Sequence, residues 1–264
     1  MTETVLPSLH SATLLELLVI SWVAGVGIST VGPGGILMTI GLYSVTVLPP
    51  ASVAGTSIVT HIATGVVGTA AYLRSGQLRH PPTRQLALML GLMATVGTPL
   101  GVFINGRVSH RWFGILLGLF AAVVGLLVWY RQVAATPETS GTKHGVTNGA
   151  VAALIGLGVA VAAGMFGLGG PMMAVPLLVA TGVPILSAVA VAQVYSLVIS
   201  TVGTFGYGAH HAIDWPMAIF VGIPEMTGVL IGWWLAHRIP PSRLRYALAI
   251  VLISLAPYLA MRAS

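Results

Sequence analysis

Between Leu14 and Leu48 the chain carries one charged residue, Glu16, and comparable apolar runs recur almost to its end. About 20 apolar residues in a helix cross the hydrocarbon core of a bilayer, and no other feature limits the possible folds as much. The 264 residues are 56% hydrophobic and 6% charged, against about 25% charged in a soluble domain. Eleven Lys and Arg with five Asp and Glu are too few to solvate a core of this size. The sequence therefore describes an all-α polytopic membrane protein. Barrel strands would alternate in polarity, and these runs do not. The basic residues read as loop charges that orient spans, so nucleic acid is not an expected partner. A basic n-region and a small-residue cleavage site are missing from the N-terminus, and no removable signal peptide is expected. Without cysteine there is no disulfide, thiolate metal site or cysteine-based sulfur relay. Short His-x-x-His patterns are also absent, and no cofactor or metal is expected.

The first long run is interrupted at Gly32-Pro33-Gly34-Gly35, and three ordinary spans follow near residues 52–72, 86–104 and 112–130. The polar stretch 131–148, rich in Thr, Ser, Gly and charge, reads as a linker loop. The pattern then restarts. A run over 150–183 is interrupted at Gly167-Leu168-Gly169-Gly170-Pro171, and spans follow near 188–207, 215–236 and 244–261.

A shift of 135 residues superposes the two halves without a gap from residue 32 to residue 81, taking Gly32 to Gly167, Gly34 to Gly169 and Gly35 to Gly170. Pro49/Pro184, Ser52/Ser187, Gly68/Gly203, Tyr72/Tyr207 and Pro81/Pro216 also coincide. Beyond residue 81 the register slips by four, and Gly101 then faces Gly232. The expected organisation is a first repeat over 1–130, the linker over 131–148 and a second repeat over 149–264, together one integral membrane domain.

The charges choose between two topologies. If each interrupted run crosses once, Lys and Arg divide almost evenly between the two sides. If each enters and returns as a hairpin of two helical pieces, Arg74, Arg79, Arg84, Arg131, Lys143, Arg238, Arg243 and Arg245 share one side. Arg107, Arg111 and Arg262 are then left on the other, the imbalance expected of a cytoplasmic face. Loop 73–85 and the linker are then cytoplasmic, and both termini face outward. This topology inverts the second half relative to the first. Each half becomes a Gly-broken or re-entrant helical hairpin plus three transmembrane helices.

Interrupted helices at matching places in two repeats point to a transporter's binding site at the midplane. Freed backbone N–H groups must be satisfied by protein, water or a ligand, and N–H groups at helix N-termini suit small anions. The simpler role for glycine in a membrane protein is close helix packing, which suffices for Gly101, Gly118, Gly125 or Gly232. It does not explain two Gly-x-Gly-Gly clusters with flanking prolines in register.

The stretches "STVGPGGILM", "VLPPASVAGTSIV", "YLRSGQL" and "GMFGLGGPMMAVPLLVATGVPILSAVAVAQVYS" resemble the TauE/SafE family of sulfite and organosulfonate permeases. The matching features are Gly32, Gly34, Gly35, the Ala54-Gly55-Thr56-Ser57 helix, Gly167, Gly169, Gly170 and Pro176. Pro33 and Pro171 depart from the pattern and each removes an N–H donor. The resemblance covers essentially the whole chain. It implies movement of a small sulfur-containing or carboxylate anion across the cytoplasmic membrane.

Within the spans, Ser57, His61 and Thr64 share one helical face, as do Gln193, Ser196 and Ser200, with Tyr195 adjacent. Ser and Thr often bond back to their own helix, but His61 and Gln193 each need a partner in hydrocarbon. The expected substrate-binding set is Gly32, Gly34, Gly35, Ser57, His61, Gly167, Gly169, Gly170, Gln193 and Tyr195. Glu225 is the one acid well inside a span and follows Pro224. A carboxyl there is paired, protonated or in contact with water, and Glu225 is the expected proton-coupling residue. An interfacial Glu225 paired with a loop base is the simpler alternative. The remaining histidines, including His210-His211, read as solvated loop residues, and Trp112, Trp215, Trp233 and Trp234 as interfacial anchors. The expected function is secondary transport of a small anion. The alternatives are a passive anion channel and a membrane-embedded enzyme using His61 and Glu225. The expected partners are a small anionic substrate and the lipid bilayer, with a homodimer left open.

Overall fold

The computed structural model describes residues 5–30, 34–133, 148–236 and 250. Among them the chain forms helices α1 (Ser11–Thr30), α2 (Gly35–Val45), α3 (Pro50–Arg74), α4 (Pro81–Asn105), α5 (His110–Val133), α6 (Gly149–Phe166), α7 (Pro171–Ala180), α8 (Ile185–Ala209) and α9 (Trp215–Ala236). No strand occurs among the described residues. Seven of these helices are long and apolar enough to cross a membrane, whereas α2 and α7 are shorter. The span expected near 244–261 apart from residue 250, Gly32, Pro33 and nearly all of the linker lie outside the described residues.

Several helices begin earlier than their apolar runs. Pro50, Pro81 and Pro171 occupy first helical positions, where the missing N–H has no intrahelical partner in any case. The second interruption is built around Gly167, which caps α6 with φ 72°, a left-handed conformation natural to glycine. Leu168 N–H then donates to Ala163 O at 2.8 Å, closing the last turn.

The first interrupted run doubles back. A Cβ added at Gly34 would overlap the α1 backbone at Ala24, Gly27 and Ile28, while Gly41 lies against Ile20. Ser21 Oγ is 3.9 Å from the Met38 sulfur. Advancing along α2 therefore means retreating along α1, and the two helices form a hairpin.

The packing between halves is reciprocal. Gly228 of α9 lies against the Trp22 and Val26 backbone of α1, and Gly97 of α4 lies against the Leu157 and Val161 backbone of α6. The shift of 135 takes Trp22 to Leu157 and Val26 to Val161, and the slipped register takes Gly97 to Gly228. Between them, α3 and α8 pass in opposite directions: Gly55 meets Tyr207, Gly65 meets Leu197 and Gly68 meets Gln193. Large apolar side chains such as Leu92, Phe103, Leu154, Phe205 and Ile219 stay exposed on the outside, as a lipid-facing surface requires.

Candidate functional site

His61 lies midway along α3, with 2% of its surface exposed. Its Nδ1 is 2.8 Å from Ser57 O. A carbonyl only accepts, so Nδ1 carries a hydrogen and Nε2 is the open position of the ring. Thr60 Oγ1 also donates to Ser57 O, and Thr64 Oγ1 donates to His61 O at 2.9 Å. The Ser57 hydroxyl is joined to Thr39 of α2 at 2.9 Å. These bonds tie the imidazole to its own helix and α3 to the short helix α2.

Both glycine interruptions converge on this ring. A Cβ at Gly35 would overlap His61 Nε2, and one at Gly169 would come within 2.9 Å of His61 Cδ2 and 3.2 Å of Ser196 Oγ. Glycine is needed at both places because the imidazole occupies the space a side chain would take. Gly34 and Gly170 are the N-cap residues of α2 and α7; both are buried and neither helix has a side-chain cap. The first N–H groups of a helix have no i−4 partner; no side chain caps them here, and Leu37 N–H turns back to Gly34 O at 2.9 Å. Pro171 leaves α7 with one donor fewer.

Glu225 of α9 completes the arrangement. It is fully buried, and its Oε1 is 3.9 Å from His61 Nε2. That is ion-pair range but too long for a hydrogen bond. His61 Nε2 and both Glu225 oxygens make no hydrogen bond; Thr60 stands beside the carboxyl, but its hydroxyl hydrogen goes to Ser57 O. Each such buried polar group costs about 1–3 kcal/mol, more if charged, so the site is incomplete without a further donor or acceptor. The expectation of Glu225 inside a span fits this position, and its partner is His61 rather than a loop base.

The other expected residues spread around this centre. Gln193 contacts Gly68, two helical turns from His61 along α3. The Tyr195 ring packs on Gly170, and its hydroxyl donates to Gly156 O of α6. Gly167 packs on the Ala54 backbone and positions the turn. Ser196 shares the Gly169 contact with the His61 ring, whereas Gln193 and Tyr195 contact Gly68 and Gly170. Thr39 and Thr60 escaped sequence reading because a hydroxyl inside a span usually bonds back to its own helix. Among the described residues no three His, Asp or Glu cluster to hold a metal.

Long apolar helices with two interruptions meeting at a buried, unsatisfied ionisable pair define a multi-pass membrane protein of transporter architecture. The family described as "Sulfite exporter TauE/SafE" matches residues 17–259, and the chain belongs to it. A "Probable membrane transporter protein" of Xylella fastidiosa strain 9a5c is 31% identical over 238 residues, 88% of each chain. The protein of the same description from strain Temecula1 is 29% identical over 238 residues, again 88% of each. A "Probable inner membrane transporter protein TsaS" of Comamonas testosteroni is 30% identical over 177 residues, covering 65% of this chain and 69% of that one. No solved structure gives a significant match. This chain is a membrane transporter.

Proposed function

We propose that the protein is a secondary transporter of the cytoplasmic membrane for a small anion: sulfite, an organosulfonate, or a related sulfur-containing or carboxylate anion. The observation that carries this reading is the convergence of the α2 and α7 N-termini on one imidazole whose Nε2 is unpaired. Helix N-termini and a histidine attract an anion yet release it; among the described residues every Arg sits at a span end or in a loop. Glu225 is the proton-coupling residue. The opposed directions of α3 and α8 and the reciprocal α1–α9 and α4–α6 contacts support two inverted repeats, and rocking of one against the other would alternate access. A catalytic use of His61 and Glu225 has less support, because a duplicated frame serves two access states better than one reaction centre.

The test is uptake and counterflow in proteoliposomes against a panel of sulfite, sulfonates and carboxylates. Saturable counterflow of at least one is expected. Conductive flux without counterflow would make the protein a channel, and no flux of any would refute anion transport. Cysteine labelling at single introduced sites should place loop 73–85 and the linker 131–148 inside and both termini outside. Termini on opposite sides would remove the inverted topology.

A further inference from the structure

We infer that the site between the glycine breaks takes a singly charged oxyanion only together with one proton, because one bound oxygen must accept hydrogen bonds from His61 and Glu225 at once. This rests on the anion-transport reading and adds its valence and stoichiometry. His61 has spent Nδ1 on Ser57 O, and only Nε2, which abuts Gly35, is left without a partner. Glu225 Oε1 is 3.9 Å from that nitrogen. An oxygen about 2.8 Å from each would subtend about 90° between them, a workable geometry for two hydrogen bonds. A sulfonate oxygen has no hydrogen to give. Both neighbours must therefore donate, His61 through Nε2–H and Glu225 through a protonated carboxyl.

The charges lead to the same condition. With one proton shared, the empty pair is neutral whichever partner holds it. With two it carries a single positive charge, which balances a monoanion and no more. An anion beside an ionised Glu225 would meet like-charge repulsion in a medium that screens little. Neighbouring elements offer no substitute. Gly25 of α1 packs on the Glu225 backbone, Gly35 of α2 and Gly169 abut His61, and α8 contributes Ser196; none titrates. No third His, Asp or Glu joins the pair among the described residues. The added proton comes from the water on whichever side the site opens. It leaves with the anion on the other side, so the cycle is electroneutral and follows the proton gradient.

The test uses methanesulfonate, which stays singly charged and has no proton to supply near neutral pH. Its binding to the full chain in nanodiscs is followed by calorimetry across pH and by infrared difference spectroscopy. Apparent Kd should rise tenfold per pH unit wherever the empty pair holds one proton. A carboxylic-acid C=O band should be present in the bound state, new or shifted according to which partner held the first proton, and be missing in Glu225→Gln. Binding with a pH-independent Kd, or without that band, overturns the inference and leaves anion transport standing. If neither methanesulfonate, hydrogensulfite nor any other anion of the panel binds the wild-type protein, both fall.

Discussion

Where α3 meets α9, His61 faces Glu225; where α8 meets α4, the positions matching them in the duplicated sequence are Ser196 and Ala94. The first contact is also the looser one. An apolar groove of about 530 Å³ runs between α3 and α9, lined by Val59, Thr60 and Ala63 on one side and Gly222, Ile223 and Met226 on the other. At the matching contact α4 and α8 approach each other over a greater length. Thr98 and Val102 of α4 stand within 3.3 Å of where a Cβ would lie on Gly203 and Gly206 of α8, and Val198 replaces Ala63. Duplication thus supplied the frame twice, while the ionisable chemistry stands at one of the two contacts. A symmetric pair of acids would place a second buried carboxyl in the bundle, and each such group is costly in the membrane.

The largest effect expected separates glycines at the site from glycines at the packed contact. Gly35→Leu and Gly169→Leu should each reduce anion flux by roughly a hundredfold or more, because the new side chain must displace the imidazole that positions the anion. Gly91→Ala should stay within about twofold, since a Cβ there meets Val198 Cγ2 at 3.8 Å, ordinary contact. Flux per inserted protein in proteoliposomes checks both. Near-normal transport by Gly35→Leu would detach the site from the break.

Smaller, but opposite in kind at the two contacts, are changes of charge. Ala94→Glu should destabilise the protein by about 3 kcal/mol or more, because the new carboxyl is buried in tight packing with no imidazole to pair it. Glu225→Gln should leave the fold intact and cut the flux driven by a pH gradient by about tenfold. Thermal unfolding in detergent together with gradient-driven uptake separates the two results. If Glu225→Gln responds to the pH gradient as the wild type does, the coupling role belongs elsewhere.

Much of this frame was legible in the sequence. The glycine interruptions, the duplication and the placement of Glu225 inside a span all follow from patterns local to a run or repeated at a fixed shift. Span ends were harder to place, because a proline at the first helical turn resembles a breaker until the chain direction around it is known. Pairings that depend on how helices cross could not be read. Nothing local in the sequence brings Glu225 to His61; the α3–α9 packing does. The opposed directions of α3 and α8 set Gln193 against Gly68, away from the imidazole, and bring Ser196 in through Gly169. Helical spacing shows which residues share a face but not where that face meets its partner. Tyr195 illustrates the same limit: its ring lines the break at Gly170, while its hydroxyl caps a carbonyl of α6.

The smallest expected effect comes from making the looser contact resemble the tighter one. Ala63→Val puts into the α3–α9 groove the side chain that its counterpart Val198 already supplies between α8 and α4. Lipid tails are as apolar as valine, so the change gains packing and no hydrophobic transfer. The expected stabilisation is therefore only about 0.5 kcal/mol, or roughly 1–2 °C in Tm for a chain of this size. The reverse change, Val198→Ala, removes two methyl groups from a half-buried side chain and should cost about 1 kcal/mol. If the groove is the surface along which the halves move, flux in Ala63→Val should fall severalfold despite the gain in Tm, and Val198→Ala should lose stability with little loss of flux. Equal and parallel changes in Tm and flux at the two positions would mean that the looseness of α3 against α9 has no part in transport.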